Sequence, residues 1–122
     1  QMAAEVDVLV IAVPGGAKTL HMIDAEVLSA MRPKAHLINI ARGEVIDEAA
    51  LIAALQTGQI AGAGLDVYEF EPEVPPALMA LDNVSLLPHL GTATEEVRSH
   101  MGHMVLDNVA AFAAGQKPPN PV

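Results

Sequence analysis

Four ionisable side chains stand at or just past the ends of short apolar runs: Arg42, Asp66, Glu71 and His89. Arg42 follows Leu37–Ala41, an aliphatic run broken by one amide, Asn39. A guanidinium in that place is well shaped to grip a carboxylate or to polarise a carbonyl. The competing explanation is a structural arginine paired with a neighbouring acid. His89 follows Pro88 at the close of another run, where an imidazole is exposed enough to exchange protons and titrates near neutrality. A carboxylate beside it fixes its tautomer and raises its pKa. Together the four describe acid–base work on a small molecule that carries a carboxylate.

These residues are useful only if the chain brings the run ends to one edge. Asp7–Val13 is an apolar run closed by Pro14-Gly15-Gly16, a strand ended by turn residues. A helical pattern over Thr19–Met31 follows, with Ile23, Val27, Ala30 and Met31 on one stripe, stopped by Arg32-Pro33. Ala35–Ala41 is a second strand, of a composition that suits burial on both faces. Asp47 caps a helix carrying Leu51, Ala54 and Leu55, and Gly58 closes it. Ile60–Val67 reads as a strand whose small residues admit a close neighbouring backbone.

Tyr68–Pro76 is acidic, proline-rich and irregular, and Ala77–Leu81 is a short turn of helix. Val84–Leu87 is the fourth strand. Thr92 or Thr94 caps a long helix near Glu95–Ala114 with an apolar stripe of Val97, Met101, Met104, Val105, Val109 and Phe112. The tail from Gly115 to Val122 is expected to be extended or disordered. Strands alternating with helices predict an α/β fold with a parallel, right-handed sheet. All four strands then point one way, and the four ionisable groups share an edge where ligands bind in such sheets.

Composition narrows the partners. A formal charge of −9 argues against nucleic acid, and the absence of cysteine removes thiol catalysis and disulfides. No apolar stretch of about 20 residues occurs, so no membrane partner is expected. The plain expectation is a soluble cytoplasmic protein; the opening Gln1–Glu5 is mid-helix in character. Ser29, Ser85 and Ser99 lack the glycine pattern of a nucleophile elbow. His100 and His103 are three apart on the long helix but lack further ligands, so no metal is expected. His21 and His36 read as surface or strand-edge residues, and Glu69–Glu73 as a solvated turn from which only position singles out Glu71.

Three segments in order resemble the D-isomer-specific 2-hydroxyacid dehydrogenase family. They are Asn39-Ile-Ala-Arg-Gly43 with Val45-Ile-Asp-Glu48, Gly64-Leu-Asp-Val-Tyr-Glu-Phe-Glu-Pro72, and Leu87-Pro-His-Leu-Gly-Thr92. The ending Pro118–Val122 is similar to the glyoxylate and hydroxypyruvate reductase branch. The resemblance implies a parallel sheet of Rossmann type, second half only, with a C-terminal crossing helix. Residues 1–93 would be the second half of an NAD(P)-binding domain, 94–114 a helix returning toward a substrate domain, and 115–122 a tail.

By the same resemblance His89 is the general acid in carbonyl reduction and Glu71 its partner. Arg42 binds the substrate's carboxylate and carbonyl oxygens. Asp66 lies by the nicotinamide, and Val13, Pro14, Ile40, Ala41, Arg42, His89, Leu90, Gly91 and Thr92 contact the cofactor, NAD or NADP. Glu71 argues against the formate-oxidising branch, whose histidine partner is glutamine. The family's Gly-x-Gly-x-x-Gly turn is not among these residues, since Gly62 and Gly64 precede a strand end with no helix behind them. Such a half-sheet is expected to expose an apolar edge and to be inactive by itself. A homodimer is implied for the full-length family member. The alternative from another class is a dinucleotide-binding corepressor of the same fold, which would not be an enzyme.

Overall fold

The computed structural model describes residues 2–121. Gln1 and Val122, the outermost residues of the expected mid-helix start and extended tail, lie outside them. The chain forms two compact units, Gln1–Pro88 and His89–Val122.

In the first unit the apolar runs become β1 (Val8–Ile11), β2 (His36–Asn39), β3 (Gly62–Leu65) and β4 (Val84–Leu86). Among the described residues they make one parallel sheet in the order β1-β2-β3-β4. Ile11 pairs with Asn39, Asn39 with Leu65 and Leu65 with Leu86, so all four strands end on one row. That shared row is what gathers the chemistry. Arg42 and Asp66 follow it by a few residues, and so, in chain order, does His89.

Monotonic strand order with right-handed crossovers puts α1 (Ala25–Ala30) and α2 (Glu48–Gln56) on the same face. Burial alternates accordingly. Leu9, Ile11, Leu37 and Asn39 are buried, whereas Val8, Val10 and Ile40 are each more than half exposed. The expectation that β2 is buried on both faces is therefore corrected: one face is covered and the other is open. The exposed apolar edge expected of the half-sheet is present at β1. Leu28, Leu51 and Leu55 fill the space between helices and sheet. In β3 small residues do admit a neighbour, since a Cβ on Gly62 would stand 2.7 Å from the Asn83 carbonyl.

Capping sets the helix boundaries. Asp47 accepts from the Ala50 N–H at 3.0 Å and starts α2, and Gly58 follows its end at φ +69°. Asp24 accepts from the Val27 N–H at 2.9 Å and starts α1. The helix expected over Thr19–Met31 is thus shortened to Ala25–Ala30. Leu20 and Ile23 have helical spacing, but the backbone of 21–23 is taken by tertiary bonds. The His21 N–H donates to the Glu44 carbonyl at 2.9 Å, the Ile23 N–H to Val45 at 3.0 Å, and the Asp47 N–H returns to Ile23 at 3.0 Å. Segment 68–75 is irregular as expected, and α3 (Pro76–Met79) is a single short turn.

The second unit is α4 (Glu95–Ala113) with its flanks. Thr94, rather than Thr92, caps it, accepting from the Val97 N–H at 3.3 Å. Val97, Met101, Val105, Val109 and Phe112 are exposed. The tail is not simply extended. Gly115 turns at φ +70°, the Gln116 N–H reaches back to the Ala111 carbonyl at 2.8 Å, and the Asn120 N–H donates to Asn108 Oδ1 at 2.9 Å.

Candidate active site

The turn after β2 carries the arginine, and Asn39 builds it. Its amide is 1% exposed in an otherwise apolar row, a place that demands partners. Asn39 Oδ1 accepts from the Ala41 N–H and Asn39 Nδ2 donates to the Arg42 carbonyl, both at 3.0 Å. This side-chain mimic of a backbone turn sends the chain off the sheet at Arg42. Arg42 is exposed and extended (φ −141°), and its Nη1 donates to the Ala41 carbonyl at 2.6 Å. Asn39 was visible as the one amide in the run, yet its spacing gave no role.

Gly43 comes next because nothing larger fits: a Cβ there would run into the backbone between Tyr68 and Glu69. The arginine turn and the acidic turn after β3 are therefore in direct backbone contact. In the acidic turn the Asp66 N–H donates to the Asn39 carbonyl at 3.0 Å, and Asp66 is 8% exposed. Glu71 is exposed, and its Oε1 accepts from the Tyr68 N–H at 3.0 Å. Tyr68 is buried, its hydroxyl donates to the Leu87 carbonyl at 2.8 Å, and burial raises its pKa.

The turn after β1 is tied to the same place. The Gly16 N–H donates to Glu44 Oε1 at 2.7 Å, and the Thr19 hydroxyl donates to the Pro14 carbonyl at 2.8 Å. A Cβ on Gly15 would approach Arg42 Cγ to 2.8 Å. Val13 is half-buried, while Pro14 and Ile40 are exposed and Ala41 is buried. The structure thus brings together the turns carrying Val13, Pro14, Ile40, Ala41, Arg42, Asp66 and Glu71.

One pair here escaped the sequence. His21 Nε2 donates to Glu69 Oε1 at 2.7 Å, with 41% and 15% of the two side chains exposed. The hydrogen bond to Glu69 raises the His21 pKa above its ordinary 6.5, more than partial burial lowers it. Glu69 Oε2 also lies 3.4 Å from the Glu48 N–H, and Glu48 Oε2 lies 3.4 Å from the Glu69 N–H. Burial raises the pKa of Glu48, opposed by its bond from the Glu69 N–H. The reading of Glu69 as solvated is corrected; His21 does lie at the surface, 41% exposed, but is paired there. The partners are 48 residues apart, and no local pattern announces such a pair.

His89, Leu90, Gly91 and Thr92 open the second unit. His89 has φ +54°, unusual for a residue with a side chain, and the Ala93 N–H donates to the Leu90 carbonyl at 2.9 Å. His103 Nδ1 bonds the Ser99 carbonyl of its own helix at 2.8 Å. Among the described residues no group of three or more His, Cys, Asp or Glu is placed to hold a metal, and no helix is long and apolar enough to cross a membrane.

Comparison with known proteins decides the family. Residues 1–91 match the family described as D-isomer specific 2-hydroxyacid dehydrogenase, NAD binding domain. The chain belongs to that family. It is 50% identical over 119 residues to a glyoxylate reductase of Pyrococcus furiosus, covering 98% of this chain and 35% of that protein. It is 47% identical over 122 residues to a hydroxyphenylpyruvate reductase of Plectranthus scutellarioides, covering all of this chain and 39% of that one. Among solved structures, the NADPH-dependent glyoxylate/hydroxypyruvate reductase of Sinorhizobium meliloti, in complex with NADP and malonate, superposes with a TM-score of 0.97 at 52% identity. That match covers 99% of this chain and 38% of the other. The chain therefore spans well under half the length of the relatives it matches.

Proposed function

We propose that this chain carries the catalytic half of an NAD(P)-dependent 2-hydroxyacid dehydrogenase that reduces a small 2-oxo acid, glyoxylate or hydroxypyruvate. The observation that supports it most is the common end row of the four strands, from which the turns bearing Arg42 and Asp66 leave together. The strand exits suit a flat ring bearing an amide. Ala12 and Ala41 carry only methyl groups there, Gly15 and Gly16 carry none, and the Asp66 carboxylate can accept from an amide N–H.

In this reading Val13, Pro14, Ile40, Ala41, Asp66, Leu90, Gly91 and Thr92 hold the cofactor, NAD or NADP. When bound, it supplies or accepts the hydride at the substrate's carbonyl carbon. Arg42 clamps the substrate carboxylate and polarises the carbonyl oxygen, a task for which a planar fork of donors is suited. His89 delivers a proton to that oxygen during reduction and removes it in the reverse direction. Glu71 is the carboxylate partner of His89 in this reading, orienting its ring and fixing its tautomer. A homodimer and a cytoplasmic location complete the proposal, on family membership and the cysteine-free composition. The corepressor reading has no observation in its favour, and the relatives named above are reductases.

The test is His89→Gln in the full-length enzyme of which this chain would be the catalytic half. Turnover of glyoxylate and hydroxypyruvate is expected to vanish while NADPH still binds. Near-normal turnover would remove the proton-transfer role.

A further inference from the structure

We infer that His21 and Glu69 are positioning residues that close a clamp around the turn bearing Arg42. The inference rests on the reading of Arg42 as the substrate-binding residue. The turn is held from two sides. On one side, residues 21–23 run alongside 44–47, joined by the three backbone hydrogen bonds His21→Glu44, Ile23→Val45 and Asp47→Ile23. On the other, the peptide between Tyr68 and Glu69 lies so close that only a glycine fits at 43. Neither flank belongs to one of the four strands or to a helix; the first is joined to the turn by a single parallel bridge, Ile23 with Ile46, and the second makes no such bridge among the described residues.

What joins the flanks is the His21–Glu69 hydrogen bond of 2.7 Å, bridging over the turn. Glu69 adds a second attachment through its other oxygen, 3.4 Å from the N–H of Glu48 at the start of α2. The ring thus runs from His21 along the backbone to Glu44, through Gly43 to the 68–69 peptide, and back through the Glu69 carboxylate. His21 itself is held at φ +48°, a conformation a histidine adopts at some cost. Glu71, two residues beyond Glu69, sits on the same flank, its Oε1 bonded to the Tyr68 N–H.

A side chain that merely stabilised the fold would, on removal, lower the melting temperature and leave the kinetics of the folded enzyme alone. A clamp makes a narrower claim. Without it the Arg42 turn stays attached to the sheet through Asn39 but loses lateral restraint, and small displacements of a positioning group cost reaction rate steeply. The proposed cofactor contacts at Val13 and Pro14 involve neither side chain of the pair, although the Gly16 N–H to Glu44 bond ties that exit to the same turn.

The experiment uses the full-length enzyme and its variants His21→Ala, His21→Gln, Glu69→Ala and the His21→Ala/Glu69→Ala double variant, all assayed well below their melting temperatures. Hydrogen exchange at residues 43–47, the KM for glyoxylate and the Kd for NADPH are measured in each. With His21→Ala or Glu69→Ala, exchange at Val45–Asp47 is expected to quicken about tenfold. The KM for glyoxylate rises about tenfold, several-fold more than the Kd for NADPH. The double variant is no worse than either single, and His21→Gln, whose amide still donates to Glu69, stays close to the parent.

Unchanged exchange at 43–47 in the alanine variants overturns the clamp. So does a lowered melting temperature with unchanged KM. If Arg42→Lys leaves the KM for glyoxylate at the parental value, it is the reading of the site that fails, and the exchange measurement alone still decides whether the pair holds the turn.

Discussion

The turn after β2 and helix α4 contrast in what holds them. The turn, residues 39–47, has little regular structure, yet Asn39, Ala41, Gly43, Val45 and Ile46 are all buried. Bonds from Asn39, Ile23 and His21 hold it, and the 68–69 backbone abuts it. Helix α4 is regular from Glu95 to Ala113, with a capping threonine and a glycine-turned exit, yet among its described residues none is buried. Regularity comes from local capping and propensity, whereas fixity comes from burial and long-range bonds. Positioning a reactive side chain needs the second, and in the proposed reading Arg42 has it, on an irregular but heavily tied turn.

Substitutions should separate the two regions sharply. The largest effect is expected of Gly43→Ala, since its Cβ meets backbone that cannot step aside. It should destabilise the first unit by about 3 kcal/mol in denaturant unfolding and abolish turnover. Asn39→Ala comes next. It strands the Ala41 N–H and the Arg42 carbonyl in a buried place and should cost about 2 kcal/mol, with a raised KM for the oxo acid. In α4, Thr94→Ala removes one cap bond and should cost about 1 kcal/mol or less, read as helix fraying in hydrogen exchange at 95–98. A Thr94→Ala effect as large as that of Gly43→Ala would break the contrast.

The smallest effect is on pH dependence. The His21 pKa is raised above 6.5, so its contribution to stability is fully present below that value and is lost as pH rises through the raised one. Glu48, raised above 4.5, works in the same direction over a lower range. Unfolding midpoints should therefore fall modestly as pH rises above 6.5, and Glu69→Gln should flatten that slope. His21 faces Glu69 and Asp47, and the latter remains in the variant.

The same division explains what was legible beforehand. The four apolar runs, the caps at Asp47 and at Thr92 or Thr94, and the glycine at 58 are local signals, and each marks its element within a few residues. A single-residue cue fails where tertiary bonds overrule it. Leu20 and Ile23 have the spacing of a helix face, but the backbone of 21–23 is bonded to 44–47, and the helix waits for Asp24. In β2 the apolar composition suggested two covered faces, yet α1 and α2 lie on one, leaving Ile40 exposed. Arg42, Asp66 and Glu71 could be picked out because they follow strands. His21 and Glu69 could not, since their meaning lies in each other, 48 residues apart. Asn39 stood between the two cases: an amide in an apolar strand was visible, and only the turn's geometry gives it a task.

The central claim is that the tied turn presents Arg42 to the carboxylate and carbonyl of a 2-oxo acid. The most direct measurement is steady-state reduction of glyoxylate and hydroxypyruvate with NADPH by the full-length enzyme and by its Arg42→Lys variant. A lysine keeps the charge but loses the planar fork. The account predicts that kcat/KM for both acids falls about 100-fold or more while NADPH binding is unchanged. Parental kinetics in Arg42→Lys would contradict it.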